Sequence, residues 1–147
     1  MKSKIFAIRN QPVEVDLVLL LIRLVVGYAF VLHGWGKIQH PLNWMGPESS
    51  VPGIFQALAA ISEFGGGFAL ISGFLTRLGA FGIGCTMVVA VYMHRFVLGD
   101  PFVNLSGGRS YEPALVYLLI ALFLVFSGPG RFSLDRSIFG VKRNGRL

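Results

Sequence analysis

Charge is the scarcest commodity in this chain. Aspartate, glutamate, lysine and arginine together make up 14% of its 147 residues, against about a quarter in an ordinary soluble domain. Cysteine is nearly absent. Cys85 stands alone, which excludes an intramolecular disulfide and a Cys-x-x-Cys redox pair. It falls in an apolar run, so a buried structural thiol is expected there. No element carries His, Cys, Asp or Glu at metal-ligand spacing, and no metal site is expected. Phosphate-loop chemistry is missing too, because Gly65-Gly66-Gly67 is not followed by Lys-Ser or Lys-Thr. No arrangement of Ser, His and Asp suggests a hydrolytic triad.

What fills the chain is hydrocarbon. Apolar residues make up 54% and the mean hydropathy is +0.67. Four apolar runs can be drawn, at 17–32, 54–75, 78–98 and 113–127. Each approaches the ~20 residues needed to cross ~30 Å of bilayer core; the first and last need flanking residues to do so. The third has no charged residue from Gly79 to Met93, so every face of it must be buried or lipid-facing. The expected fold is all-α: a polytopic four-helix membrane bundle in one domain. Residues 1–16 would be a cytoplasmic segment, 17–130 the four-span domain and 131–147 a basic cytoplasmic tail. The first run contains Arg23 and ends in His33-Gly34-Trp35-Gly36 rather than at a small-residue cleavage site, so it is expected to be retained rather than cleaved as a signal peptide.

The net charge of +6 invites a nucleic-acid reading, but its placement argues for orientation. With four spans, Lys2, Lys4, Arg9, Arg77, Arg131, Arg136, Lys142, Arg143 and Arg146 share one side. Only Lys37, Arg95 and Arg109 lie at the other. That bias puts both termini in the cytoplasm, and the basic tail suits anionic lipid. No nucleic-acid partner is expected; the bilayer is.

Against this background the ionisable residues inside the runs stand out. Glu63 is deep in the second run and Glu112 opens the fourth. Arg23, His33, Lys37, His94 and Arg95 lie within or at the ends of others. Each costs a few kcal/mol in hydrocarbon, so each should face a partner, a cavity or a ligand. Arg23, Gly27, Phe30, Gly34 and Lys37 recur at steps of four and three and share one face of the first helix. The glycines there let another backbone approach closely. Gln56 and Glu63 share a face of the second helix. The Gly65-Gly66-Gly67 triplet beside Glu63 points to close packing or a kink. Depth places His33, Lys37, His94, Arg95, Tyr111 and Glu112 near the outer surface, above a pocket floored by Glu63. His and Tyr donors could hydrogen-bond the carbonyls of a quinone, with Glu63 and His94 exchanging protons with it. The plain structural reading is an ion-pair network, with Arg23 or His33 on Glu63 and Lys37 or Arg95 on Glu112. Trp44 reads as an interface anchor and His40 as an exposed loop residue. Haem ligation by His33 and His94 is a weaker option.

Three stretches carry a family likeness. Arg23…Gly27 with His33-Gly34-Trp35-Gly36-Lys37 is one. Glu63-Phe64-Gly65-Gly66-Gly67…Gly73-Phe74-Leu75-Thr76-Arg77 is the second. Tyr111-Glu112-Pro113-Ala114…Gly128-Pro129-Gly130-Arg131-Phe132-Ser133-Leu134-Asp135 is the third. In this order they resemble the DoxX family, with Arg23, Gly34, Lys37, Glu63, Gly66, Thr76, Arg77 and Glu112 on its motif positions. The resemblance implies a small bacterial inner-membrane protein with four spans. It also implies a link to quinone: some relatives are membrane subunits of a thiosulfate:quinone oxidoreductase, and others belong with oxidoreductase complexes handling oxidative and thiol stress. A chain this short would need a soluble or membrane partner subunit for such chemistry. The competing readings are a small-solute or proton-coupled transporter, which would need a homo-oligomer for room to alternate, and a scaffold whose charges serve folding alone.

Overall fold

Pro12 sets the first helix. It stands extended just ahead of Val13, and Glu14 and Asp16 fall in the first turn, where the helix dipole favours acidic groups. Helix α1 runs Val13–Gln39, 27 residues, or about 40 Å at the α-helical rise. The computed structural model describes residues 11–139. Of the basic positions used above for orientation, Lys2, Lys4, Arg9, Lys142, Arg143 and Arg146 lie outside them.

Residues 40–52 lead into α2, Gly53–Ser72, which is continuous past the glycine triplet. Gly73 ends it at φ 67°, a left-handed conformation that costs glycine little. Its N–H donates to the Leu70 carbonyl and that of Phe74 to Ala69, the Schellman pattern. Helix α3 spans Thr76–Tyr92 and widens into a π-helical turn at Met93–Val97. After a loop, α4 runs Glu112–Ser127 with a proline in its first turn, and a short α5 follows at Leu134–Phe139. Among the described residues there is no strand.

α1 packs on α2, α2 on α3 and α3 on α4, in chain order. The glycines set how closely. A Cβ built on Gly67 would lie 2.7 Å from the Gly27 carbonyl oxygen, and one on Gly34 would lie 2.5 Å from the Phe64 nitrogen. α1 and α2 therefore cross backbone to backbone. Gly66 turns the other way, with its Cβ position 3.1 Å from the Gly79 oxygen of α3. Close packing on two sides, not a kink, explains two of the three glycines. Leu19, Phe30, Leu70, Ile83, Met87, Ala121 and Leu124 form the core. Phe30 meets Tyr117 of α4 edge-on at 5.1 Å.

Burial is inverted relative to a water-soluble protein. Arg23 is 1% exposed and Glu63 3%, while Val25 is 69% and Phe96 72% exposed. Only an apolar surrounding makes that distribution favourable. α1, α2 and the α3 helix through Val97 are long and apolar enough to cross a membrane; α4 is apolar but shorter.

A polar cavity at the loop end of the bundle

The bundle has two polar ends. One, here the terminal end, gathers the start of α1, the α2–α3 turn and α5. The other, the loop end, holds residues 40–52 and 98–111.

At the loop end the crossing at Gly34 brings α1 and α2 together one residue from Glu63. Lys37, one turn beyond Gly34, reaches across. Its Nζ lies 2.6 Å from both Glu63 carboxylate oxygens. The carboxylate is almost fully buried and the lysine is partly exposed. Lys37 Nζ also sits 4.5 Å from the Trp44 ring centre, a cation–π contact. Gln56 fastens the loop that carries Trp44. Its amide donates to the Val51 carbonyl at 2.8 Å and its oxygen accepts from the Met45 N–H at 3.0 Å. Trp44 Nε1 donates in turn to the Gln56 carbonyl at 2.9 Å. Trp44 is thus a wall of the site rather than a free interface anchor.

Beside this pair, α2, α3 and the 40–52 loop line a half-open cavity of about 640 Å³. Its walls are mostly apolar, including Phe55, Leu58, Val89 and Met93, with Lys37, Gln56, Ser62, Glu63, Thr86 and His94 as polar points. This is the usual recipe for a small-molecule pocket: an apolar shell with a few placed polar groups. The π-helical turn carries His94, and π-turns recur at functional sites. His94 Nδ1 lies 2.7 Å from Asp100 Oδ2, and Arg109 Nε lies 3.9 Å from the other Asp100 oxygen.

Of the residues expected at the site, the structure brings Lys37, Glu63 and His94 to one cavity. His33, Arg95, Tyr111 and Glu112 do not line it. His33 is exposed and tilts against Tyr117, ring centres 6.4 Å apart. It precedes Gly34 by one residue, about 100° round the helix, so it turns toward α4. Arg95 lies 5.8 Å over the Tyr111 ring. Glu112 makes no ion pair among the described residues. Cys85 is exposed on the cavity wall rather than buried. Asp100 is the residue that sequence reasoning passed over, while Gln56 and Trp44 take roles it did not assign, fastening the 40–52 loop and walling the cavity. Asp100-Pro101 reads as a turn signal, and only its position six residues past His94 hints at more.

The expected Arg23–Glu63 ion pair does not form. Arg23 lies fourteen residues before Lys37, about 20 Å along α1, and so at the opposite end of the bundle. There its Nε donates to the Leu70 carbonyl at 2.9 Å, and Nη1 donates to Pro129 at 2.7 Å and Phe132 at 2.8 Å. The guanidinium staples α1 to the end of α2 and to the segment after α4. Asp135 completes the staple. Its carboxylate accepts the N–H groups of Leu75 at 2.8 Å and Thr76 at 3.0 Å, capping α3 from α5. Asp16 accepts the Arg131 N–H at 3.0 Å and sits 3.3 Å from its Nε.

Fold and site together define an integral helical membrane protein with ionisable side chains held inside. The DoxX family profile matches residues 18–95. A protein of Haemophilus influenzae is 35% identical over 82% of this chain and 90% of its own length. The inner membrane protein YqjF of Escherichia coli is 34% identical over 82% of this chain and 92% of its own. A membrane protein of Mycobacterium tuberculosis is 32% identical over 80% and 78%. No solved structure matches the chain. The chain belongs to the DoxX family and is a multi-pass protein of the bacterial inner membrane.

Proposed function

We propose that the chain is the membrane subunit, or anchor, through which an oxidoreductase complex of thiosulfate, thiol or oxidative-stress chemistry reaches membrane quinone. In this reading α1 to α4 all span, both termini are cytoplasmic, and the loop end faces the periplasm. Residues 17–130 form the membrane domain between a short cytoplasmic segment and a basic tail from 131. The observation that carries the reading is the Lys37–Glu63 pair on the wall of an apolar cavity that also holds His94. A quinone head has two carbonyl acceptors and no charge. Lys37 and His94 supply donors for those carbonyls, and the apolar wall between α2 and α3 accommodates the start of an isoprenoid tail. His33, Arg95, Tyr111 and Glu112 belong to the rim, where a partner subunit would dock. A transporter would need a polar route to the far side; the Arg23 cluster instead fills the terminal end with protein hydrogen bonds.

The test is quinone extracted from purified protein, wild type against Glu63→Gln. The reading expects quinone to copurify with the wild type and to fall about tenfold or more in the variant, the scale of one charge-assisted hydrogen bond. Equal quinone in both would remove Glu63 from the site. Solute flux through proteoliposomes carrying the wild type would favour the transporter instead.

A further inference from the structure

The loop residue Asp100 belongs to none of the family stretches set out above, yet it is buried and engages the one imidazole on the cavity wall. It approaches His94 Nδ1 at 2.7 Å. A carboxylate there fixes which ring nitrogen is committed and how the ring is turned. Nδ1 is occupied by Asp100, and Nε2 has no hydrogen-bond partner among the described residues. The backbone holds the pair in place as well, since the Asp100 N–H donates to the His94 carbonyl at 2.8 Å. Arg109, mostly exposed, approaches Asp100 from the solvent side at 3.9 Å. Across the cavity are Glu63 and Lys37. Arg95, the neighbouring cation, is turned away over Tyr111. His94 lines the cavity and is about one third exposed at the loop end of the bundle.

We infer that Asp100 is a positioning residue that holds His94 as the proton relay between water at the loop end and the ligand in the cavity. The inference rests on the quinone reading and adds a proton path to it. Reduction of a quinone to a quinol takes two electrons and two protons. The electrons come from the reduced cofactor of the partner oxidoreductase subunit. One proton passes from Nε2 of the imidazolium to a quinone oxygen, leaving a neutral ring whose remaining proton stays on Nδ1 against Asp100. The second comes from the Lys37–Glu63 pair. Both groups then recover a proton from water at the loop end. A carboxylate at Asp100 both orients the ring and balances its charge before transfer.

Redox-driven infrared difference spectroscopy tests this on the full chain in lipid nanodiscs loaded with decylubiquinone, an electrode supplying the electrons. In wild type, a fast reducing step should transiently bleach imidazolium bands together with the quinone carbonyl bands, and the imidazolium bands should return as the ring regains its proton from water. Those bands are assigned to His94 by their loss in His94→Gln. In Asp100→Asn the analogue should still bind, with Kd within about threefold of wild type, since no direct contact is lost. The imidazolium signal should vanish, and Asp100→Glu should restore it. A merely structural Asp100 would lower thermal stability and leave the infrared signature of the folded variant unchanged; that result overturns the inference and leaves the quinone reading intact. No binding of decylubiquinone to wild type would overturn both.

Discussion

Lys37 and Glu63 show what a single residue decides here. Removing one partner of a buried pair leaves an uncompensated charge, which costs about 3–5 kcal/mol; replacing both with apolar side chains is often close to neutral. Lys37→Met should therefore lose roughly 3 kcal/mol of stability, at the low end because the ammonium is partly solvated. Lys37→Met with Glu63→Leu should recover most of that loss while abolishing quinone binding. Equilibrium unfolding in mixed micelles checks the first point and quinone content the second. Arg23 presents the opposite case, a buried cation whose hydrogen bonds go to backbone carbonyls. Its planar fork serves α1, α2 and the segment after α4 at once. Lysine is a single point donor and cannot. Arg23→Lys should cost about 2 kcal/mol or more through the carbonyls left unpaired, read from the same unfolding curves.

Among the helices, α2 is the middle of the stack, and its glycines are not equivalent. Gly67 faces α1 and Gly66 faces α3, whereas a Cβ on Gly65 would meet nothing within 4 Å. Gly67→Ala should force α1 and α2 apart at a cost of about 1–3 kcal/mol. Gly65→Ala should leave stability unchanged or raise it by up to about 1 kcal/mol through helix propensity. Thermal unfolding of the two variants side by side checks the contrast; equal losses would contradict it. The elements themselves were legible from apolar run length, with ends shifted: the run at 17–32 grows into Val13–Gln39, because Glu14, Asp16 and Lys37 are helical residues that hydropathy does not count. Depth was legible too: Lys37, Glu63 and His94, grouped by depth in the sequence, line one cavity. Azimuth was not. Whether His33 or Lys37 turns toward α2 depends on where the helices touch, and Gly34 sets that contact. Matching charges suggested an Arg23–Glu63 pair, but fourteen residues of α1 separate Arg23 from Lys37, the cation that Glu63 meets. Asp100 and Asp135 were hidden for another reason. Asp100 acts from a loop, where no periodicity points to a partner, and Asp135 acts from a short helix some sixty residues from the N–H groups it caps.

For the whole molecule, the two polar ends do different work. The terminal end is a lock made of Arg23, Asp16 and Asp135; the loop end is open around a cavity. The lock should be separable from the cavity. Asp135→Ala removes the cap of α3 and the partner of Leu75, the one non-glycine residue with positive φ among those described, and should cost about 1–2 kcal/mol. Decylubiquinone affinity of the folded variant should stay at the wild-type value. A matching loss of affinity would mean that the ends are coupled through the bundle.

The central claim is that the cavity between α2 and α3 takes a quinone. Cys85, the chain's single cysteine, lies exposed on that cavity's wall and can report on it without mutation. The direct measurement is the rate of Cys85 alkylation by an apolar maleimide in nanodiscs, with and without decylubiquinone. Saturable slowing of alkylation, absent in Glu63→Gln at the same quinone concentration, is the predicted result. An alkylation rate indifferent to quinone in the wild type would contradict the account.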